Sequence, residues 1–229
     1  AARRSFPHND SAALERILAD IRGQFERVLI VIEGLYSMDG DIPNLPAFID
    51  IKRRYKAFLM VDEAHALCVL GKTGRGSHEH FGVAGRDVDI WMGTLSKTLA
   101  SCGGYIAGNT ALVEHLKFLA PGFLYSVGMP PSVTASALAA LRCLANDQER
   151  VQTVQARGEL FLRLARAKGW SSAMHHAIAG VAPSLLTLAL PFSWQEAFVP
   201  AALFGGLTGL AFWHLNRPKG ARQPDAGNR

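Results

Sequence analysis

Three short apolar runs constrain this chain most: "RVLIVIEG" (27–34), "AFLMVDEA" (57–64) and "VDIWMGT" (88–94). Each is continuous rather than alternating, and each ends at polar or turn residues. Such runs suit strands buried on both faces, as in parallel sheets. They recur roughly every thirty residues, the length of a βαβ unit. Between the first two, "LPAFIDIKRRYK" has helical periodicity. Ahead of them, Asn9-Asp10-Ser11 offers N-caps for "SAALERILADIR". Residues 66–86 are Gly-rich and read as loop more than helix. "GGYIAGN" follows the third run so closely that a fourth strand there must pair differently. Helices are expected over 131–146 and 148–168, the second a charged, exposed connector. The expected class is α/β with a mainly parallel sheet.

Composition narrows the function classes. The chain has 229 residues, 49% of them hydrophobic, and a net charge of +5. No Lys/Arg run reaches five residues, so no nucleic-acid partner is expected. Arg3-Arg4 and Lys52-Arg53-Arg54 read as solvated faces. Cys68, Cys102 and Cys143 are too few and too scattered for a disulfide framework or a zinc site. His78-Glu79-His80 and His175-His176 read as surface histidines, so no metal is expected. No signal peptide follows Ala1-Ala2-Arg3-Arg4. The first residue is not Met, and a fragment of a longer protein is expected.

The sequence changes character near Trp170. Residues 171–195 carry no Asp, Glu, Lys or Arg, and neither do residues 197–216. A bilayer-spanning helix needs about 20 residues. Arg163, Arg166 and Lys168 precede the first stretch; Arg217, Lys219 and Arg222 follow the second. That pattern obeys the positive-inside tendency for an apolar helical hairpin. A pair of buried helices is the alternative, and Pro183, Pro191 and Pro200 weaken both. The expected organisation is therefore 1–170 as the α/β unit, 171–216 as an apolar hairpin with a membrane contact, and 217–229 as a polar, disordered tail. The location expected is the cytoplasm, with membrane association through 171–216.

"VDEAHALCVLGKTGRG" (61–76) imitates nucleotide-binding motifs. Asp62-Glu63-Ala64-His65 has the letters of a Walker B box, and Gly71-Lys72-Thr73 those of a P-loop tail. A P-loop needs a glycine five residues earlier, where this chain has Ala66. It should also precede the Walker B strand, not follow it.

In open α/β sheets ligands gather at the carboxyl ends of strands. After the first run come Ser37, Asp39 and Asp41; after the second, Asp62 and His65; after the third, Thr94, Ser96 and Lys97. An acid, an imidazole, hydroxyls and a lysine at one rim suit pyridoxal phosphate. A lysine can hold the cofactor aldehyde, and a carboxylate can keep the pyridine nitrogen protonated. Taken singly, Asp62 could be a cap, His65 a core histidine, Ser37 and Thr94 turn residues, and Lys97 a surface lysine. Asp39 and Asp41 are expected to shape a turn. Gly71, Gly74 and Gly76 are expected where φ must be positive.

"EGLYSMDGDIPNL", "FLMVDEAHALCVLGKTGRG", "GTLSKTLASCGGYIAG" and "LYSVGMPPS" together resemble the α-oxoamine synthases, fold-type I pyridoxal-phosphate enzymes. The resemblance covers about residues 5–168. It implies part of the large domain of that fold. It implies Lys97 as the Schiff-base lysine, Asp62 on the pyridine nitrogen and His65 on the phenolic oxygen. Ser37 and Thr94 match cofactor-contacting positions. Ser126 lies in a stretch that reaches the partner subunit's site in family dimers, so a homodimer or a related subunit is implied. The implied reaction joins an amino acid to an acyl-CoA with loss of carbon dioxide, giving a 2-amino ketone.

The chain departs from the family at both ends. The family's cofactor-binding first half, with its ring-stacking histidine, has no counterpart here, and His8 does not take that role. After Trp170 nothing matches the small domain that supplies a carboxylate-binding arginine. Two readings follow: an enzyme segment with impaired activity, or a non-catalytic or membrane-tethered partner of a related subunit.

Overall fold

The computed structural model describes residues 2–169. The expected hairpin at 171–216 and tail at 217–229 lie outside the described residues. The described part is a four-stranded sheet with helices, in the order α1 (Ser11–Ile21), β1 (Leu29–Glu33), α2 (Leu45–Arg54), β2 (Phe58–Asp62), α3 (Ser77–Phe81), β3 (Ile90–Thr94), β4 (Gly104–Gly108), α4 (Thr110–Leu119), α5 (Pro121–Leu124), α6 (Pro131–Asn146) and α7 (Glu149–Ala167).

The strand order is β1-β2-β3-β4. The first three strands are parallel, and β4 runs antiparallel to β3. The nine residues between β3 and β4 leave no room for a crossover, so β4 turns straight back. Asp10 caps α1 by accepting from the Ala13 amide at 2.8 Å. Asn44 caps α2, with a proline in its first turn. Helix α4 is an addition to the sequence reading. Its cap is Asn109, whose side chain accepts from the Leu112 amide at 2.8 Å.

The pleat divides each strand between two faces. Ile30 and Ile32 pair with Leu59 and Val61 on one face. That face packs under Leu14 and Leu18 of α1 and Phe48 and Ile49 of α2 to form the main core. The other face carries Leu29, Val31, Phe58 and Met60, continued by Ile90, Met92 and Ile106. Val31 is 53% exposed and Phe58 47%, whereas Leu59 and Val61 are fully buried. The expectation of strands buried on both faces is thus corrected: no helix of the described residues covers the second face. The apolar runs encode a two-sided sheet, but α1 and α2 lie on one side only.

Of Lys52-Arg53-Arg54, only Lys52 departs from the solvated face expected; Arg53 and Arg54 are exposed. Lys52 is largely buried and ion-paired to Asp89 at 2.8 Å, Arg53 pairs with Asp87 at 2.7 Å, and Arg54 pairs with Glu15. These cations close the last turn of α2 onto its neighbours, where they also complement the helix dipole. Among the described residues no helix is long and apolar enough to cross a membrane.

Candidate active site at the strand ends

The open face ends in a polar row. Glu33 stands beside Asp62 in the β1–β2 register, and Asp62 beside Met92, two residues before Thr94. By the pleat, Glu33, Asp62 and Thr94 share this face.

Asp62 is partly buried, and its Oδ1 accepts from the Ala64 amide at 2.8 Å. That bond starts the turn that carries His65. Among the described residues Asp62 Oδ2 makes no hydrogen bond. The His65 ring makes none either, but it is held below its ordinary pKa. Burial is the largest cause, then the Lys97 charge; Glu33 and Asp62 oppose them. The second acid, the imidazole and the lysine therefore stand close enough for their charges to act on one another.

Lys97 sits on a loop closed between antiparallel strands. The Leu95 amide donates to Gly103 O at 2.9 Å and the Ser101 amide to Leu95 O at 2.9 Å. Leu95 and Leu99 plug into a small cluster with Cys68 and Ala137, leaving Ser96, Lys97 and Thr98 exposed. Ser101 Oγ donates to Val133 O at 2.6 Å and Ser136 Oγ to Ala100 O at 3.0 Å, tying the loop to α6. Thr94 Oγ1 lies 2.7 Å from Ser96 Oγ and donates to Gly103 O at 3.2 Å. The Lys97 carbonyl accepts from the Ala100 amide at 3.0 Å, and its Nζ makes no hydrogen bond or ion pair among the described residues.

Ser37 is exposed in the turn after β1. Its amide donates to Glu33 Oε2 at 2.8 Å. In the same turn the Tyr36 amide donates to Asp41 O at 2.9 Å, and Gly40 takes φ +70°. The Tyr36 hydroxyl is pushed up to about 12 by burial and by Asp41 and Glu33. His8 Nε2 meets Asp41 Oδ1 at 2.9 Å, and one side-chain atom each of His8, Asp39 and Asp41 lies within 4.8 Å of the others. Hydrogen bonding to the turn accounts for this exposed cluster. Ser126 is exposed, in a run where Phe118, Leu119, Phe123, Tyr125 and Val127 are all exposed.

The P-loop lookalike has other work. Thr73 gives its amide and its hydroxyl to Glu79, and Arg75 gives its amide to the same carboxylate. The Gly76 amide donates to Leu70 O at 3.0 Å. Gln155 of α7 donates to Val69 O at 2.8 Å and Gly71 O at 2.9 Å. Gly71, Gly74 and Gly76 have φ of +85°, +79° and +92°, as a bent loop requires. The Thr73, Gly74, Arg75 and Gly76 amides are thus engaged within the protein.

Two residues escaped the sequence reading. Glu33 became visible only through register, which sets it beside Asp62. Glu63 is buried under the site and bonded to Ser77. Its letter in "DEAH" was the available signal, but it suggested a nucleotide motif.

The profile of the family "Aminotransferase class I and II" matches residues 1–178, and the chain belongs to that family. It is similar to the 8-amino-7-oxononanoate synthase of Geobacter sulfurreducens, 52% identical over 59% of this chain and 34% of that protein. It is also similar to the serine palmitoyltransferase of Bacteroides thetaiotaomicron, 41% identical over 72% of this chain and 41% of that one. Among solved structures it resembles a serine palmitoyltransferase from S. paucimobilis carrying a PLP–myriocin aldimine. That likeness has a TM-score of 0.59 and 31% identity, over 63% of this chain and 37% of the other. The fold is that of the fold-type I neighbours, and the relatives lie in the α-oxoamine synthase branch. The chain spans about two fifths or less of the curated relatives it matches.

Proposed function

We propose that residues 1–170 are the lysine-bearing segment of a pyridoxal-phosphate-dependent α-oxoamine synthase. The observation that carries this is the open-face row of Asp62 and Thr94 with His65 and Lys97 beside it. The donor set fits the cofactor. Asp62 Oδ2 is an unused acceptor at a strand end, suited to a ring N–H. Among the described residues the Lys97 amine has no partner, and its loop is stiffened by two buried leucines.

When bound, pyridoxal phosphate supplies an aldehyde that amines condense with and a ring that withdraws electrons from a substrate α-carbon. Lys97 would hold the aldehyde and would serve as the group that moves the proton at the α-carbon. Asp62 keeps the proton on the ring nitrogen. His65, kept neutral by burial and by Lys97, donates to the phenolic oxygen. Ser37 and Thr94 contribute hydroxyls. The substrates proposed are an amino acid and an acyl-CoA. One carbon–carbon bond forms between the α-carbon and the acyl carbon. The carboxylate leaves as carbon dioxide and a solvent proton takes its place on the α-carbon, while the CoA thiolate departs with the proton first removed from that carbon.

The open sheet face and the exposed 118–129 run favour action with a second polypeptide, a homodimer mate or a related subunit. A cytoplasmic location, with a membrane contact through 171–216, belongs to the same proposal; co-sedimentation of the full chain with lipid vesicles tests the contact.

The test of the site is an absorbance titration of the full chain with pyridoxal phosphate, beside Lys97→Ala. A visible band that saturates and is lost in the variant is expected. Folded protein with no lysine-dependent band overturns the reading for this chain acting alone. The band should then be sought with the related subunit present.

A further inference from the structure

Glu63 lies between two residues of the site, yet its side chain turns into the protein. It is 4% exposed, and Ser77 is fully buried. The Glu63 carboxylate accepts the Ser77 amide at 2.9 Å and also the Ser77 hydroxyl. Burial raises its pKa; the Ser77 bonds and His78 pull it back only in part, and Asp62 adds to the rise. A buried carboxyl without a Lys or Arg partner is a costly way to fill space. An apolar side chain would pack there at less cost.

What the carboxyl group supplies is geometry. A Cβ at Gly34 would collide with Glu63 Oε1, and one at Gly76 with Oε2. Gly34 begins the turn after β1, and its amide donates to Asp62 O at 2.8 Å. Gly76 leads into α3. The Glu63 amide donates to Met92 O at 2.8 Å, and its carbonyl accepts from Ala66 at 3.0 Å and Leu67 at 2.9 Å. One residue thus joins the ends of β1, β2 and β3 to the start of α3.

We infer that Glu63 is a positioning residue: its carboxyl group, gripped by both donors of Ser77, fixes the turn that presents Asp62 and His65. This rests on the reading of those two residues as cofactor-holding. Glutamine can keep both bonds, its carbonyl accepting the Ser77 amide and its NH2 donating to the Ser77 hydroxyl oxygen. Alanine keeps neither.

The experiment uses the full chain as wild type, Glu63→Gln, Glu63→Ala and Ser77→Ala. Amide exchange is read at Ala64, Ala66 and Leu67, with Leu59 and Val61 as core references. The His65 imidazole is titrated by NMR without cofactor, and pyridoxal phosphate affinity is read from Lys97-dependent absorbance. Glu63→Ala is expected to speed exchange at 64, 66 and 67 by about tenfold or more, leaving the core references unchanged. The groups acting on His65 are Lys97, Glu33 and Asp62, and loosening the turn should let its midpoint rise toward the ordinary value. Glu63→Gln should restore exchange, titration and affinity to near wild type, a rescue that loss of packing alone would not produce.

The inference is overturned if Glu63→Ala leaves exchange and titration unchanged, or if Glu63→Gln is disturbed as much as alanine. Should Glu63→Ala unfold the core, Ser77→Ala decides: faster exchange at 64–67 with an intact core supports the inference, and no change overturns it. If the wild type shows no lysine-dependent band, the cofactor reading fails for this chain alone. Exchange and titration still settle the role of Glu63.

Discussion

The two faces of the sheet are built from the same strands and have opposite fates. Leu59 and Val61 are sealed under α1 and α2, while their neighbours Phe58 and Val31 stand about half exposed. Both faces are apolar, so hydrophobicity does not separate them. What separates them is what lies above. The open face is also the one whose carboxyl end carries Glu33, Asp62 and Thr94. Contiguous apolar surface of this kind marks an interaction site or an aggregation liability. The chain spans about two fifths or less of its relatives, and the open face and the exposed 118–129 run are both surfaces where further polypeptide would add burial.

The sharpest way to break this comparison is to truncate one residue on each face. Leu59→Ala is expected to cost about 2–5 kcal/mol, because it opens a cavity in a closed core. Phe58→Ala, one residue away, should cost less than about 1 kcal/mol in the isolated chain, since its ring is already half in water. Urea midpoints at constant m-value measure both. Equal losses would mean that the open face is covered in solution.

The strands were legible because continuous apolar runs of that length have few alternatives. The antiparallel turn of β4 followed from its closeness to β3. Which face would be covered was not legible, since a run apolar on both sides carries no sign of its cover. Helix α4 was passed over although Asn109 caps it. In the candidate site, Asp62, His65, Thr94 and Lys97 were readable as strand-end residues; strand register sets Asp62 and Thr94 on one face, and the Lys97 and Asp62 charges act on His65. Glu33 and Glu63 were not readable, because their placement depends on register and burial, which arise only when strands pair. Lys52 looked solvated for the same reason: its partner Asp89 is distant in sequence.

The polar end of the open face gives the next effect. Asp62→Ala should weaken pyridoxal phosphate binding by about 10- to 100-fold, the range for one hydrogen bond to a charged group. Absorbance titration measures it. Phe58→Ala, farther down the same face, should leave that affinity unchanged. If it does not, the apolar part of the face belongs to the site as well.

A charge on the open face should act on association rather than stability. Val31→Lys is expected to shift unfolding by less than about 0.5 kcal/mol. It should also reduce concentration-dependent self-association in sedimentation velocity. The same substitution at Leu59 would unfold the chain, since a buried unpaired ammonium has no compensation.

The smallest expected effect is a pH dependence from His65, at the rim of the open face. Its pKa is lowered from 6.5 by burial, then by Lys97. Above that value the ring is neutral both folded and unfolded, and it adds no pH dependence. As pH falls below 6.5, the unfolded chain takes the proton first, so stability declines until the folded ring also protonates. Glu63 acts with the opposite sign. Its raised pKa disfavours the folded state as pH rises above 4.5, the ordinary carboxyl value. The difference between wild type and His65→Gln is the quantity to follow, because the Glu63 contribution cancels in it. That difference should grow as pH drops from 7 toward 5, with the wild type losing more. A partner that covers the open face would bury His65 further and steepen the slope, whereas an unchanged slope with the partner bound would put the cover elsewhere.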